Sequence, residues 1–103
     1  MEEEGVILEK RANHFRMMLW DGGKLVLTEK HLIFKPHKFN IGAKELTIDI
    51  ENIESTHRIT KIFGGSNEFR IKVKNGHLER FIVSDRDEMV NAIVNRKGNI
   101  TVE

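Results

Sequence analysis

Apolar and polar positions alternate with a period of two along most of the chain, the pattern of half-buried β-strands. Lys24 to Thr28 places Leu25 and Leu27 on one side, and His31 to Lys35 repeats this with Leu32 and Phe34. Glu45 to Ile50 sets Leu46, Ile48 and Ile50 against Glu45, Thr47 and Asp49. Ser55 to Phe63 is β-branched but less regular. Glu68 to Lys74 alternates cleanly, with Phe69, Ile71 and Val73 inward and Arg70, Lys72 and Lys74 toward water. Asn75-Gly76 predicts a type I′ turn into a returning strand over His77 to Val83, because both residues tolerate positive φ. Val6 to Arg11 reads as a strand, and Asn13 to Trp20 as either a second strand or an ordered loop.

The period changes after Val83. Ser84 is the expected N-cap with Asp87 at the third helical position, and Asp85, Asp87 and Glu88 sit near the positive end of the helix dipole. Met89, Ala92, Ile93 and Val94 follow at helical spacing until Arg96-Lys97-Gly98 ends the run. The order is about seven strands and then one helix of roughly three turns. Successive antiparallel strands leave open ends, and an amphipathic helix placed last suits the plugging of one of them. The predicted architecture is a small capped barrel.

The chain has 103 residues, with 17 Lys and Arg against 16 Asp and Glu, no Cys and one Pro. No repeat or linker-like stretch interrupts residues 5 to 97, so the expected organisation is one unit over 1–103 with its core at about 5–97. Zero cysteine excludes disulfides and thiolate-held zinc and fits a reducing cytoplasm. A net charge of +1 argues against a nucleic-acid partner, which usually demands a strongly basic domain. No apolar stretch approaches the roughly 18 to 20 residues of a membrane span, and Met1-Glu2-Glu3-Glu4 is acidic where a signal peptide is basic. The expectation is a cytoplasmic protein that meets a membrane, if it does, peripherally.

Gly22-Gly23-Lys24-Leu25-Val26-Leu27-Thr28, followed by His31-Leu32-Ile33-Phe34-Lys35-Pro36, resembles the GG-x-L-x-LT…L-I-F-x-P signature of GRAM domains in the pleckstrin-homology superfamily. Ala12-Asn13-His14, His37-Lys38-Phe39-Asn40, Ile50-Glu51-Asn52-Ile53 and Phe81 extend the likeness toward the bacterial, single-domain branch over about Gly5 to Arg96. The resemblance implies a mainly β, pleckstrin-homology-like fold: a seven-stranded, sharply bent β-barrel or sandwich capped by one C-terminal α-helix. It implies a non-catalytic module that recognises an anionic membrane lipid surface or acts as an adaptor. Phosphoinositide-binding members of the superfamily use a basic pair across the first hairpin; Lys10, Arg11 and Arg16 lie near that region, without a spacing that carries the site over. Two stretches depart from the family pattern. Glu29-Lys30 stands where Asn or Asp is usual, and Met17-Met18-Leu19-Trp20 is unusually apolar, which leaves it open as core, interface or membrane contact.

If Glu29-Lys30 is a two-residue turn, Val26 faces Ile33 and Lys24 faces Lys35, away from Leu25 and Phe34. Two like charges opposed across a ladder call for an acidic neighbour, divergence into water, or a bound anion. With His37 and Lys38 just beyond, Lys24 and Lys35 form the candidate anion or lipid site. Each basic group near an anionic surface contributes about 1 kcal/mol, so three or four give about 3 to 4 kcal/mol, no better than millimolar binding. An inserted apolar group or several copies must supply the rest. Trp20 and Met17 to Leu19 could insert. Alternatively Trp20, Val26 and Ile33 form an interface for a protein partner or a second copy, unless the chain itself covers them.

Other constellations lead away from chemistry. The five histidines, His14, His31, His37, His57 and His77, follow no metal-ligand spacing. Arg70, Lys72 and Lys74 have acidic neighbours in Glu68 and Glu79 and no aromatic platform, as expected of a solvated strand face. Gly64-Gly65-Ser66-Asn67 lacks the Lys and helix of a phosphate loop, and no serine has a nucleophile-elbow context. The expectation is a non-enzyme with no cofactor, metal or small-molecule substrate.

Overall fold

A computed structural model of the chain describes residues 5–37, 42–59, 67–98 and 100–102. Its strands are β1 (Val6–Arg16), β2 (Leu19–Thr28), β3 (His31–Pro36), β4 (Leu46–Asp49), β5 (Ile53–Arg58), β6 (Glu68–Val73), β7 (Leu78–Val83) and a short β8 (Thr101–Val102). A 3₁₀ turn over Ile50–Asn52 joins β4 to β5, and helix α1 (Arg86–Lys97) follows β7. The strands make one sheet in the order β4-β3-β2-β1-β7-β6-β5-β8, antiparallel except for β5 with β8. The fold is thus the expected bent antiparallel sheet with one C-terminal helix, extended by β8, which the apolar pattern did not announce.

Alternation along the strands sorts the two faces. Leu25, Leu27, Leu32, Phe34, Phe69, Ile71, Phe81 and Val83 point inward and are almost fully buried. Met89, Val90 and Ile93 of α1 close the core from one end, each without exposed surface. Lys97 Nζ ties the helix to the Glu51 carbonyl at 3.2 Å, and Arg58 Nε reaches Asp87 Oδ1 at 2.8 Å. The 3₁₀ turn is pinned from both sides, since Ile50 donates its N–H to the Lys30 carbonyl and Asn52 accepts one from Lys74, each at 2.9 Å.

Turn chemistry differs from the expectations at three places. The β2–β3 turn has the expected two residues, yet neither Glu29 nor Lys30 adopts positive φ. Thr28 substitutes for that requirement: its Oγ1 accepts the N–H groups of Lys30 at 3.3 Å and His31 at 2.9 Å. At the β6–β7 turn only Gly76 is left-handed, φ 87°, and its N–H closes a turn onto the Val73 carbonyl at 2.8 Å; the type I′ expectation for Asn75-Gly76 is corrected to a longer loop. Ser84 is not the helix cap. The β7 ladder continues, Ser84 donating its N–H to the Arg11 carbonyl at 3.2 Å, so the chain turns one residue later through left-handed Asp85.

The ambiguous segment 13–20 resolves as strand, turn and strand. β1 pairs with β2 as far as Arg16↔Leu19, leaving Met17 and Met18 as the two-residue connection. Their φ angles are 49° and 69°, both left-handed, which costs roughly 1–2 kcal/mol per residue for a side chain bearing a Cβ. β1 continues past its expected end because it serves two partners, meeting β7 over Ala12–His14 while paired to β2.

Gly23 permits the close approach of β2 to β3. A Cβ there would lie against the Lys35 carbonyl and 2.8 Å from Pro36 Cα. The second glycine of the Gly22-Gly23 pair is therefore a packing requirement.

Candidate anion-binding site

The register places three cations side by side on the outer face. Arg11 on β1 pairs with Lys24 on β2, which pairs with Lys35 on β3, and all three side chains are exposed. Among the described residues none of the three enters an ion pair. The like charges expected to face each other at Lys24 and Lys35 do so, and Arg11 extends the pair to a row of three.

Beside this row lies a half-open groove of about 600 Å³, lined by Arg11, Asn13, Gly22, Gly23, Lys24, His37, Asn67, Ile82 and Ser84 among others. Its donors are of several kinds: guanidinium, ammonium, imidazole, amide and hydroxyl. Gly22 keeps the floor open, since a Cβ would come within 3.3 Å of both Asn13 Oδ1 and His37 Cδ2. His37 is fixed by its backbone, donating its N–H to the Gly22 carbonyl at 2.9 Å. An oxyanion in this groove would meet neutral donors and two cations, the combination that binds phosphoryl groups.

Of the residues singled out from sequence, Lys24 and His37 line the groove, Lys35 stands next to Lys24 in the row, and Lys38 lies outside the described residues. Asn13, Asn67 and Ser84 carry no sequence signal of a site, and Arg11, which lies near the superfamily's basic hairpin region, has no spacing that marks it as a contact. Arg11 and Asn13 needed the first hairpin's register, which Met17-Met18 disguises.

The expected interface row from Trp20 through Val26 to Ile33 is not continuous on the surface. Val26 is 2% exposed and Ile33 half-buried, Val26 lying between Glu9 of β1 and Ile33 of β3. Trp20 is exposed and packs on Phe15 across the hairpin with ring centroids 5.1 Å apart. The Arg80 guanidinium lies 4.3 Å from the Phe15 ring centroid and 5.4 Å from that of Trp20. Exposed apolar surface gathers instead at the adjoining turn, where Met17, Met18 and Leu19 are 81%, 83% and 61% exposed.

Two acidic groups anchor this end of the sheet. Glu68 is buried, and its Oε2 accepts bonds from Arg80 Nε at 2.9 Å and Arg70 Nε at 3.3 Å. Burial raises its pKa, but the bonds and charges of Arg80 and Arg70 outweigh that effect and hold the carboxyl below its ordinary value. Glu79 bridges His14 and His77, each Nε2 at 2.8 Å from one of its oxygens. There too burial acts upward, and the His14 and His77 contacts bring the net shift downward. Among the described residues no three His, Cys, Asp or Glu side chains converge as metal ligands would, and no helix is long and apolar enough to cross a membrane.

No family model matches the chain, and no curated protein does. Solved structures match through their fold. The C-terminal domain of an unknown protein from Leishmania infantum superposes with a TM-score of 0.80 at 15% identity, over 91% of this chain and 84% of that one. A pleckstrin homology domain solved in solution gives 0.68 at 20% identity, over 95% and 89%. The Slm1 PH domain in complex with D-myo-inositol-4-phosphate gives 0.64 at 16% identity, over 93% and 98%, and the same domain has been solved with phosphoserine. The chain therefore has the pleckstrin-homology fold. That architecture hosts many unrelated ligands, so function must be argued from the groove.

Proposed function

We propose that the chain is a non-catalytic, GRAM-type binding module that attaches to anionic membranes by accepting a phosphorylated headgroup in the outer-face groove. The observation that carries this reading is the Arg11–Lys24–Lys35 row, three cations in register without described acidic partners, two of which line a groove that also holds neutral donors. Lys24 and Arg11 supply charge, Asn13 and His37 supply hydrogen-bond donors, and Lys35 adds attraction to the surrounding surface. The Slm1 PH domain's complexes with inositol-4-phosphate and phosphoserine support the idea that this fold accommodates a phosphoryl group. Three cations contribute about 3 kcal/mol, about a hundredfold in partitioning, and screening by salt reduces this.

The test is flotation of the purified chain with phosphatidylcholine vesicles and with vesicles that also contain a phosphoinositide monophosphate, at low and near-physiological salt. The expected result is binding that prefers the anionic vesicles, weakens with salt and falls in Arg11→Ala and in Lys24→Ala/Lys35→Ala. Equal binding to both vesicle types, or an unchanged triple substitution of these residues, would refute the headgroup reading. A concentration-dependent oligomer with no vesicle binding would transfer the weight to protein recognition through Trp20.

A further inference from the structure

The strand pairings line up five side chains across the outer face. His57 on β5 opposes Arg70 on β6, Arg70 opposes Arg80 on β7, and Phe15 on β1 opposes Trp20 on β2. The Arg80 guanidinium joins the two halves, lying 4.3 Å from the Phe15 ring centroid and 5.4 Å from that of Trp20. The result is a transverse row of an imidazole, two guanidiniums and two aromatic rings, about 19 Å long at the spacing of neighbouring strands. On their own strand Arg70, Lys72 and Lys74 have no aromatic platform; the pairing of β1 with β7 brings one to them from the other end of the sequence.

The acidic neighbours of these cations do not stand on the surface with them. Glu79 pairs with Ile71 on the inner side of the sheet, where its two oxygens are taken by His14 and His77. Glu68 shares the outer face but lies beneath it, 3% exposed, and accepts bonds from Arg70 and Arg80, whose side chains are 37% and 34% exposed. One sunken carboxylate thus holds two guanidiniums in place and stays out of a ligand's reach. Lys72, two residues along β6 from Arg70 and on the same face, is exposed and enters no ion pair among the described residues. On β6 and β7, three outer-face cations stand against that single carboxylate, a local excess that the net charge of +1 conceals.

We infer that this face binds single-stranded nucleic acid, with bases stacked on Trp20 and on the Arg80 guanidinium and the phosphate backbone crossing Arg70 and Lys72. Aromatic rings and arginine planes accept any base through its π-face, and adjoining cations take the phosphates. A protein partner fits this face less well, because the core of a protein interface is depleted of charged residues, whereas here cations lead up to the rings. The inference is independent of the headgroup reading, since Arg11, Lys24 and His37 lie outside this row.

The experiment titrates a short fluorescein-labelled oligouridylate with the full chain, following anisotropy and the emission of Trp20, the one tryptophan. The native chain is expected to bind saturably and to lose Trp20 emission as bases stack. On a log–log plot affinity should fall with salt by a slope of about 0.7 per phosphate contact, so Lys72→Ala should make the dependence shallower by about that amount. Trp20→Leu, which keeps apolar cover on Phe15, should weaken binding about fivefold or more and leave inositol 4-phosphate binding unchanged. Polyphosphate, which has the charge and no bases, should bind more weakly and leave Trp20 emission unaltered. No anisotropy change at low salt, an oligouridylate bound no better than polyphosphate, or a Trp20→Leu variant that binds as tightly as the native chain would overturn the inference. Oligouridylate binding by a chain that fails to bind inositol 4-phosphate would sink the headgroup reading and uphold this one.

Discussion

Arg80→Ala should be among the most damaging exposed-face substitutions, because Arg80 is both the main counterion of a buried carboxylate and the lid on the aromatic pair that braces the first hairpin. Glu68 is 3% exposed, and Arg80 Nε is its nearest cation at 2.9 Å. Removing one partner of a fully buried pair costs about 3–5 kcal/mol. Here the loss is smaller, since Arg70 remains 3.3 Å from the same oxygen and the Arg80 side chain is 34% exposed. About 2 kcal/mol is reasonable for the ion pair, and the lost cation–π contact with Phe15 adds about 0.5 kcal/mol. For a domain of this size the sum corresponds to a fall of about 10–20 °C in melting temperature. Urea unfolding followed by Trp20 fluorescence measures it, with an unchanged slope confirming that the denatured state is unaffected. Glu68→Gln/Arg80→Met removes the buried charge together with its partner and should recover more than half of the loss. A cost for Arg80→Ala below about 0.5 kcal/mol, or a double variant as unstable as the single one, would refute the reasoning.

Other outcomes follow from the same structure. Glu68 and Glu79 have folded pKa values below the ordinary 4.5, so each favours the folded state above that pH; this contribution shrinks as pH falls below 4.5 and is gone beneath the folded values. Melting temperature against pH should drop across that acid window, less steeply in Glu68→Gln. Thr56 Oγ1 is buried with no described hydrogen-bond partner, so Thr56→Val should be neutral or stabilise by up to about 1 kcal/mol in urea unfolding. Gly23→Ala, forced against the β3 backbone, should cost about 1–3 kcal/mol. Gly22→Ala should fold normally while narrowing the groove, seen as weaker binding of inositol phosphate at nearly unchanged melting temperature.

Much of this fold is legible in the alternation of side chains, and the part that is not has physical reasons. The β2–β3 register, with Lys24 opposite Lys35 and Val26 opposite Ile33, follows from a two-residue turn even though Glu29-Lys30 lacks turn chemistry. Thr28 supplies that chemistry from outside the turn, by a side-chain bond that pattern alone does not reveal. The β1–β2 hairpin is illegible because Met17-Met18 is a poor turn pair by every local rule. With it went the register that brings Arg11 and Asn13 beside Lys24. Ser84 looks like a cap until the β7 ladder is seen to claim its N–H. Val26 reads as outward-facing by the alternation, yet it is almost fully buried. Glu68 reads as a solvent-facing strand end, and only the meeting of β6 with β7 reveals that Arg80 makes its burial tolerable.

The central claim is that the groove between Arg11, Asn13, Gly22, Lys24 and His37 receives a phosphoryl group. The most direct measurement is a ¹⁵N chemical-shift titration of the chain with soluble inositol 4-phosphate at low salt. The predicted result is saturable shifts concentrated at the amides of Arg11, Asn13, Gly22, Gly23, Lys24 and His37, abolished by Lys24→Ala/Lys35→Ala. Shifts that do not saturate, or that gather around His14, His77 and Glu79 while the groove amides stay still, would contradict it.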